Sequence, residues 1–414
     1  MSDSDGSDEV PPPYGQYQIE LYKNGALLEE PPVVTTNPNR LEEQARKAMA
    51  PGPFNYIYGG AGEGATMDAN RLAFRQWKLI PRFLRPTIPR DLRVQLFGKT
   101  YSSPVIMAPV GVMGAYHEDR EVGVASVCSE LGVPFTLSTA STSTIEEVAE
   151  ASGAGAPRWF QLYWPLDNEF TASILSRAKQ NGYTVLLVTL DTFTMSWRPH
   201  DLDGGFLPFI KGQGTQIGFS DPVFRRKFAE ANDGETPEEN PFLAAQKFIS
   251  ECFSGNAHCW GDLETLRNYW DGPIVLKGIL SVDDARMALQ CGMDGIIVSN
   301  HGGRQLDGAV SSLEMLPEIV DAVGSQMTVL FDSGTRTGAD IMKALCLGAK
   351  GVLVGRPVMY GLGIKGREGA KHVLAGLLAD LDQSMGLSCV KSIGELNRSM
   401  LRRVGYGGDV KASL

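Results

Sequence analysis

The stretch 298-VSNHGGRQLDG-308 places a histidine, an arginine and three glycines directly behind the apolar run 295-GIIV-298. A run that is apolar on both faces suits a strand buried on both sides, as in a parallel sheet. A charged, glycine-hinged cluster at its end puts chemistry on one rim of that sheet. Working outward from about residue 103, the same pattern recurs in "SPVIMAPVG", "PFTLST", "WFQLY", "VLLVTLD", "PIVLKGI", "GIIVSN", "TVLFDSG" and "GVLVGRP", each followed by a stretch of helical period. Strand–helix alternation implies right-handed crossovers, and eight such units predict an α/β protein with a (β/α)8 barrel. The helices carry their caps: Ser281 stands before "VDDARMALQCG" and Thr142 or Ser143 before "TIEEVAEASG", each with a glycine near the far end.

The flanks divide the chain. Residues 1–35 are acidic and proline-rich and read as a disordered or draped arm. Residues 36–102 form an N-terminal helical segment, opened by "NRLEEQARKAM" with Asn39 as N-cap, Glu42 three residues on, and Leu41, Ala45, Ala48 and Met49 at helical spacing. The barrel runs over 103–375, and 376–414 reads as a helical tail. Between Asp191, at the end of strand four, and Pro273, before strand five, lie about 80 residues, where a βα unit needs roughly 30. The excess, about 199–263, follows a strand's C-terminal end, so it lies over the barrel mouth as a lid.

Composition excludes several classes. With 38 Lys and Arg against 48 Asp and Glu, the net charge is −10 and no basic stripe exists for nucleic acid. No stretch reaches the roughly 18–20 apolar residues of a membrane span, and "MSDSDGSDEV" is acidic where a signal peptide would be basic. A cytoplasmic protein is expected. The six cysteines lack paired spacing, and Cys252, His258 and Cys259 want a second ligand pair, so neither a disulfide scaffold nor a metal site is expected.

Polar residues at the C-terminal strand ends of a barrel point into its mouth. Here they are Pro109-Val110-Gly111, Ser138-Thr139, Gln161 with Tyr163, Thr189 with Asp191, Lys277, Ser299-Asn300-His301, Asp332-Ser333-Gly334 and Gly355-Arg356. One such residue means little; their convergence points to a site. The last two units add glycine N–H groups and the side chains of Arg336 and Arg356, which predict a phosphate corner and a phosphorylated ligand.

From about residue 40 to 375 these residues resemble a family. "SNHGGRQ", with "FQLY", "TLDT", "LKGI", "DSGTRTG" and "GRP" in order, is similar to the signature of the FMN-dependent enzymes that oxidise L-2-hydroxy acids. The resemblance implies FMN, with its phosphate at Gly334, Arg336, Gly355 and Arg356. Gln161 and Thr189 would face the pyrimidine side of the ring, and Ser138 with Pro109, Val110 and Gly111 its reactive middle; Ser299 and Asp332 complete the cofactor wall. It further implies that Arg198 and Arg304 clamp the substrate carboxylate and that Tyr56 and Tyr163 add hydroxyl contacts. His301 is then the base, Asp191 orients it, and Lys277 stabilises the reduced ring.

Within that family "APVGV", "SWRPHDL", "SDPVFRRKF" and the insertion are similar to the lactate 2-monooxygenase branch, which implies oxidative decarboxylation of L-lactate with O2 to acetate, CO2 and water. A plain oxidase releasing a 2-oxo acid and H2O2 is the alternative, and a non-catalytic phosphate-ligand barrel is the alternative from another class. Ala140 stands where bulkier side chains are common in the family and Gly111 sits in a loop facing the flavin and substrate, which predicts room for acids longer than lactate. The resemblance also implies a homo-oligomer, a tetramer or an octamer.

Overall fold

The computed structural model describes residues 14–405. Eight parallel strands close into a barrel: β1 (Val105–Met107), β2 (Phe135–Ser138), β3 (Arg158–Leu162), β4 (Val185–Thr189), β5 (Ile274–Ile279), β6 (Gly295–Val298), β7 (Thr328–Phe331) and β8 (Val352–Val354). The seam is shut by β8 on β1, with Val352 opposite Val105 and Val354 opposite Met107. The expected (β/α)8 barrel is thus observed, strand for strand.

Alternation sorts the side chains of each strand. Ile106, Trp159, Leu187, Val275, Ile297, Leu330 and Leu353 fill the interior as one cluster, while their neighbours pack outward on the helices. An antiparallel hairpin, Val94–Leu96 with Lys99–Tyr101, joins that cluster at the N-terminal end of the barrel. Its Tyr101 meets Trp159 edge to face at 5.8 Å and accepts the indole N–H at 3.2 Å.

Four helices precede the barrel: α1 (Gln16–Leu27), α2 (Pro38–Ala48), α3 (Pro51–Tyr58) and α4 (Ala65–Gln76). Residues 16–27 of the expected disordered or draped arm are therefore helical; residues 1–13 lie outside the described residues. The contacts that order α1 are long-range and leave no local signal. The Gly15 N–H donates to Asp382 at 2.7 Å, and the Tyr17 hydroxyl meets the His372 ring at 2.8 Å. The cap of α2 is Asn37, not Asn39, because Pro38 in the first turn needs no N–H partner and leaves the Asn37 side chain to accept from the Asn39 N–H at 2.9 Å. The helix expected to start at Thr142 or Ser143 is capped by Thr144 in a reciprocal box with Glu147.

After β4 the chain runs through short helical turns into α5 (Pro222–Ala231) and α6 (Pro241–Cys252). Phe224, Phe228 and Phe248 form their common apolar seam. At the other end, the expected helical tail is helical only to residue 387. The helix α7 (Arg356–Leu387), kinked at Lys365 and Gly366, continues through residue 375, and beyond it come two single turns and a strand, Leu401–Arg403, that pairs with Trp77–Leu79. Pairing with that distant strand, not local propensity, sets the backbone there.

Candidate active site

A cleft opens at the C-terminal ends of the strands. It brings together Tyr56, Pro109, Val110, Gly111, Tyr163, Arg198, Lys277, His301, Arg304, Asp332, Gly334, Arg336, Gly355 and Arg356, all named from the sequence. Ser138, Gln161, Thr189 and Ser299 are buried around it and do not line it. Asp191 lies behind His301.

The His301 turn follows β6 with three successive left-handed residues, His301 at φ 57°, Gly302 at 64° and Gly303 at 74°. Only glycine accepts that geometry freely, and a Cβ on Gly302 would stand 2.5 Å from Arg356 Nη1. The turn is pinned from outside the barrel: Asn300 and Asn70 of α4 exchange amide hydrogen bonds at 2.8 Å each, and Asn300 Oδ1 accepts the Gly303 N–H at 3.1 Å. His301 Nδ1 is thereby held 2.7 Å from Asp191 Oδ1. Burial pushes the Asp191 carboxyl up, but His301 and Lys277 outweigh it and hold the group down at about 2. Burial, with Lys277 and Arg198, keeps the imidazole below its usual range although Asp191 pulls the other way. A neutral histidine on an ionised aspartate is the resting pair, with Nε2 left as the proton acceptor.

Lys277 lies in β5 two residues before its end, its Nζ 3.3 Å from Ser299 Oγ and 3.5 Å from Asp332 Oδ2. Burial disfavours its charge, yet Asp332 and Asp191 together raise it above the ordinary lysine value, so it stays cationic. Gly278, which the sequence reading missed, makes a bulge at φ 113° in this strand. A Cβ there would lie 3.0 Å from the Asp191 side chain, so the bulge is what admits the carboxylate.

The arginines are partly committed to the chain. Arg198 donates to Ser196 Oγ at 2.9 Å, to the Arg304 carbonyl at 3.0 Å and to Gln305 Oε1 at 2.5 Å. Gln305, also missed, passes its amide N–H on to the Asp191 carbonyl at 2.7 Å, joining the carboxylate clamp to the base. Arg304 donates to the Tyr56 and Gly59 carbonyls and lies 5.0 Å over the Tyr56 ring. Tyr116 and the insertion's Phe209 and Phe253 also line the cleft. No periodicity or motif marks these three.

At the far end, Arg336 and Arg356 form no ion pair with a carboxylate among the described residues. Arg356 donates to the carbonyls of Ile57, Gly59 and Gly302 and to the Met67 sulfur at 3.9 Å. Burial first, then Arg304 and Arg336, push its guanidinium down to about 9; burial and Arg71 lower Arg336 too. Crowded, half-buried cations without a carboxylate partner among the described residues fit a phosphate. The other end fits a flavin ring: Gln161 is 1% exposed, its Oε1 accepts from Ser138 Oγ at 2.7 Å, and its Nε2 has no partner. Such an orphaned donor is costly unless a ligand accepts from it.

A barrel whose mouth joins a cationic phosphate corner to a His–Asp pair is a cofactor-dependent enzyme. The model of the family described as FMN-dependent dehydrogenase matches residues 45–403, and the chain belongs to that family, with FMN as its cofactor. It is 57% identical to the FMN-dependent alpha-hydroxy acid dehydrogenase qulF of Penicillium citrinum over 97% of this chain and 99% of that one. It is 38% identical to an L-lactate oxidase of Lysinibacillus sphaericus (85% and 89% covered) and 37% identical to human 2-hydroxyacid oxidase 1 (88% and 96%). Among solved structures, mandelate oxidase superposes with a TM-score of 0.76 at 35% identity, covering 89% of this chain and 98% of that one. No helix among the described residues is long and apolar enough to cross a membrane.

Proposed function

We propose that the protein oxidises an L-2-hydroxy acid with FMN and passes the electrons to O2. The observation that carries this reading is the single cleft in which a neutral His301 on ionised Asp191 faces Arg198 and Arg304. When bound there, FMN supplies the acceptor for two electrons and one hydrogen. Gly334, Gly355, Arg336 and Arg356 would hold its phosphate, and Gln161 and Thr189 would bond the pyrimidine edge. Ser138, Pro109, Val110 and Gly111 would line the ring, and Lys277, held by Ser299 and Asp332, would supply a positive charge to stabilise the reduced ring. Arg198 and Arg304 bind the substrate carboxylate with their remaining N–H groups, Tyr56 and Tyr163 add hydroxyls, and His301 Nε2 takes the proton that the substrate releases.

Gly111 and Ala140 keep part of the lining small, and Met195, Phe209 and Phe253 add apolar side chains to it, so the site favours a short aliphatic side chain, L-lactate and somewhat longer acids included. One observation favours the decarboxylating monooxygenase outcome over release of a 2-oxo acid and H2O2: the insertion sets Phe209 and Phe253 against the cleft, a cover that retains the 2-oxo acid. NMR of products from L-lactate under air, with a peroxide assay, separates the two. Acetate without peroxide supports retention; pyruvate with equal peroxide removes it; no bleaching by any 2-hydroxy acid removes the whole reading. The divisions proposed are an N-terminal segment over 36–102 and a barrel over 103–375 with its lid at about 199–263. Six free cysteines suit a reducing cytoplasm, and light scattering checks the tetramer or octamer.

A further inference from the structure

We propose that Thr192 is a positioning residue that fixes which oxygen of Asp191 faces His301 Nδ1 and how strongly it holds the imidazole proton there; the inference rests on the base role given to His301 above. Thr192 is 4% exposed and follows Asp191 directly. Its Oγ1 lies 2.9 Å from Asp191 Oδ1 and 3.1 Å from His301 Nδ1, and the third side of the triangle, Nδ1 to Oδ1, is 2.7 Å.

Two hydrogens serve these three atoms. The ionised carboxylate brings none, the hydroxyl brings one and the imidazole one. With the hydroxyl hydrogen on Oδ1 and the imidazole hydrogen on Nδ1, every side of the triangle is attractive. With the imidazole hydrogen on Nε2 instead, the Nδ1 lone pair faces a carboxylate oxygen at hydrogen-bond distance, and one hydroxyl hydrogen cannot satisfy both. The triangle therefore holds Nδ1 protonated and keeps Nε2 free for the substrate.

The hydroxyl also selects the oxygen. Asp191 Oδ2 is buried with no partner, so Thr192 is the neutral donor that distinguishes Oδ1 from Oδ2 and stops the carboxylate turning. A β-branched residue is stiff at χ1, which keeps that donor in place. The charged groups facing the pair are Lys277 and Arg198, with Asp332 behind Lys277; none of them donates a hydrogen bond to Asp191. Removing the hydroxyl leaves Oδ1 with more charge to offer the imidazole, so His301 holds a proton to higher pH.

The experiment compares Thr192→Val and Thr192→Ser with wild-type holoenzyme by pH profiles of flavin reduction with L-lactate and by the downfield proton NMR signal of His301 Nδ1–H, assigned by its loss in His301→Asn. In Thr192→Val the acid limb of kcat/KM moves up by about half a pH unit. Its kcat falls roughly tenfold, as sub-ångström misplacement does, while KM changes less than about threefold, and the NMR signal shifts or broadens. Thr192→Ser restores all of these. A limb and a signal unchanged in Thr192→Val, or a serine variant as impaired as the valine one, overturn the proposal. Because the NMR signal needs no turnover, a wild type inactive on every 2-hydroxy acid would sink the proposed reaction and still leave the Thr192 triangle decided.

Discussion

The two ends of the barrel are built on opposite rules. At the N-terminal end Trp159 and Tyr101 satisfy one another, ring on edge and N–H on oxygen, and Phe97 closes on the same indole at 5.9 Å. At the C-terminal end Gln161 Nε2, Tyr116 Oη and Asp191 Oδ2 are buried without partners, and Arg336 and Arg356 crowd together without an anion. A set of contacts completed within the chain stabilises the fold. A set left incomplete is finished by a ligand, and the chain holds it in readiness at a cost in stability.

Variants can break this contrast. The largest effect is expected at the mouth: His301→Ala slows flavin reduction by about 100- to 10,000-fold while the protein stays yellow, and rapid bleaching in stopped flow would take His301 out of the base role. Next comes the floor, where Trp159→Ala removes a fully buried indole and costs about 3–5 kcal/mol. Denaturant unfolding of the holoenzyme should register that loss with KM unchanged; a large KM change would mean the two ends are not independent. Arg336→Met weakens FMN binding by about 2 kcal/mol or more, roughly 30-fold, in a fluorescence titration, and raises the stability of the apoprotein by relieving cation crowding. Apoprotein destabilised by this change would contradict the account of an unmatched cation. The smallest effect belongs to Gly278→Ala, where a left-handed bulge and the Asp191 contact cost about 1–3 kcal/mol. A lowered kcat without loss of FMN is expected, and unaltered kcat would show that Asp191 needs no such space.

The same contrast explains what the sequence disclosed. Lys277, His301 and Arg356 stand out because each is an ionisable residue close behind an apolar run, a one-dimensional signal of a barrel rim. Gln305 and Tyr116 carry no such mark; one is defined by reaching across from Arg304 to the Asp191 carbonyl, the other by a short helix folding over the cleft. The helix Gln16–Leu27 was illegible for a similar reason, since Asp382 and His372, which anchor it, lie more than 350 residues away in the chain.

The reciprocal amide pair between Asn70 and Asn300 also sets a timetable. Those residues are 230 apart in sequence, and at about 5–20 residues per second the ribosome delivers the second roughly 10–50 s after the first. Until then the clasp on the His301 turn has only one half. A growing chain thus acquires its working centre late in its own manufacture, and an unfinished copy has no assembled site with which to reduce a flavin.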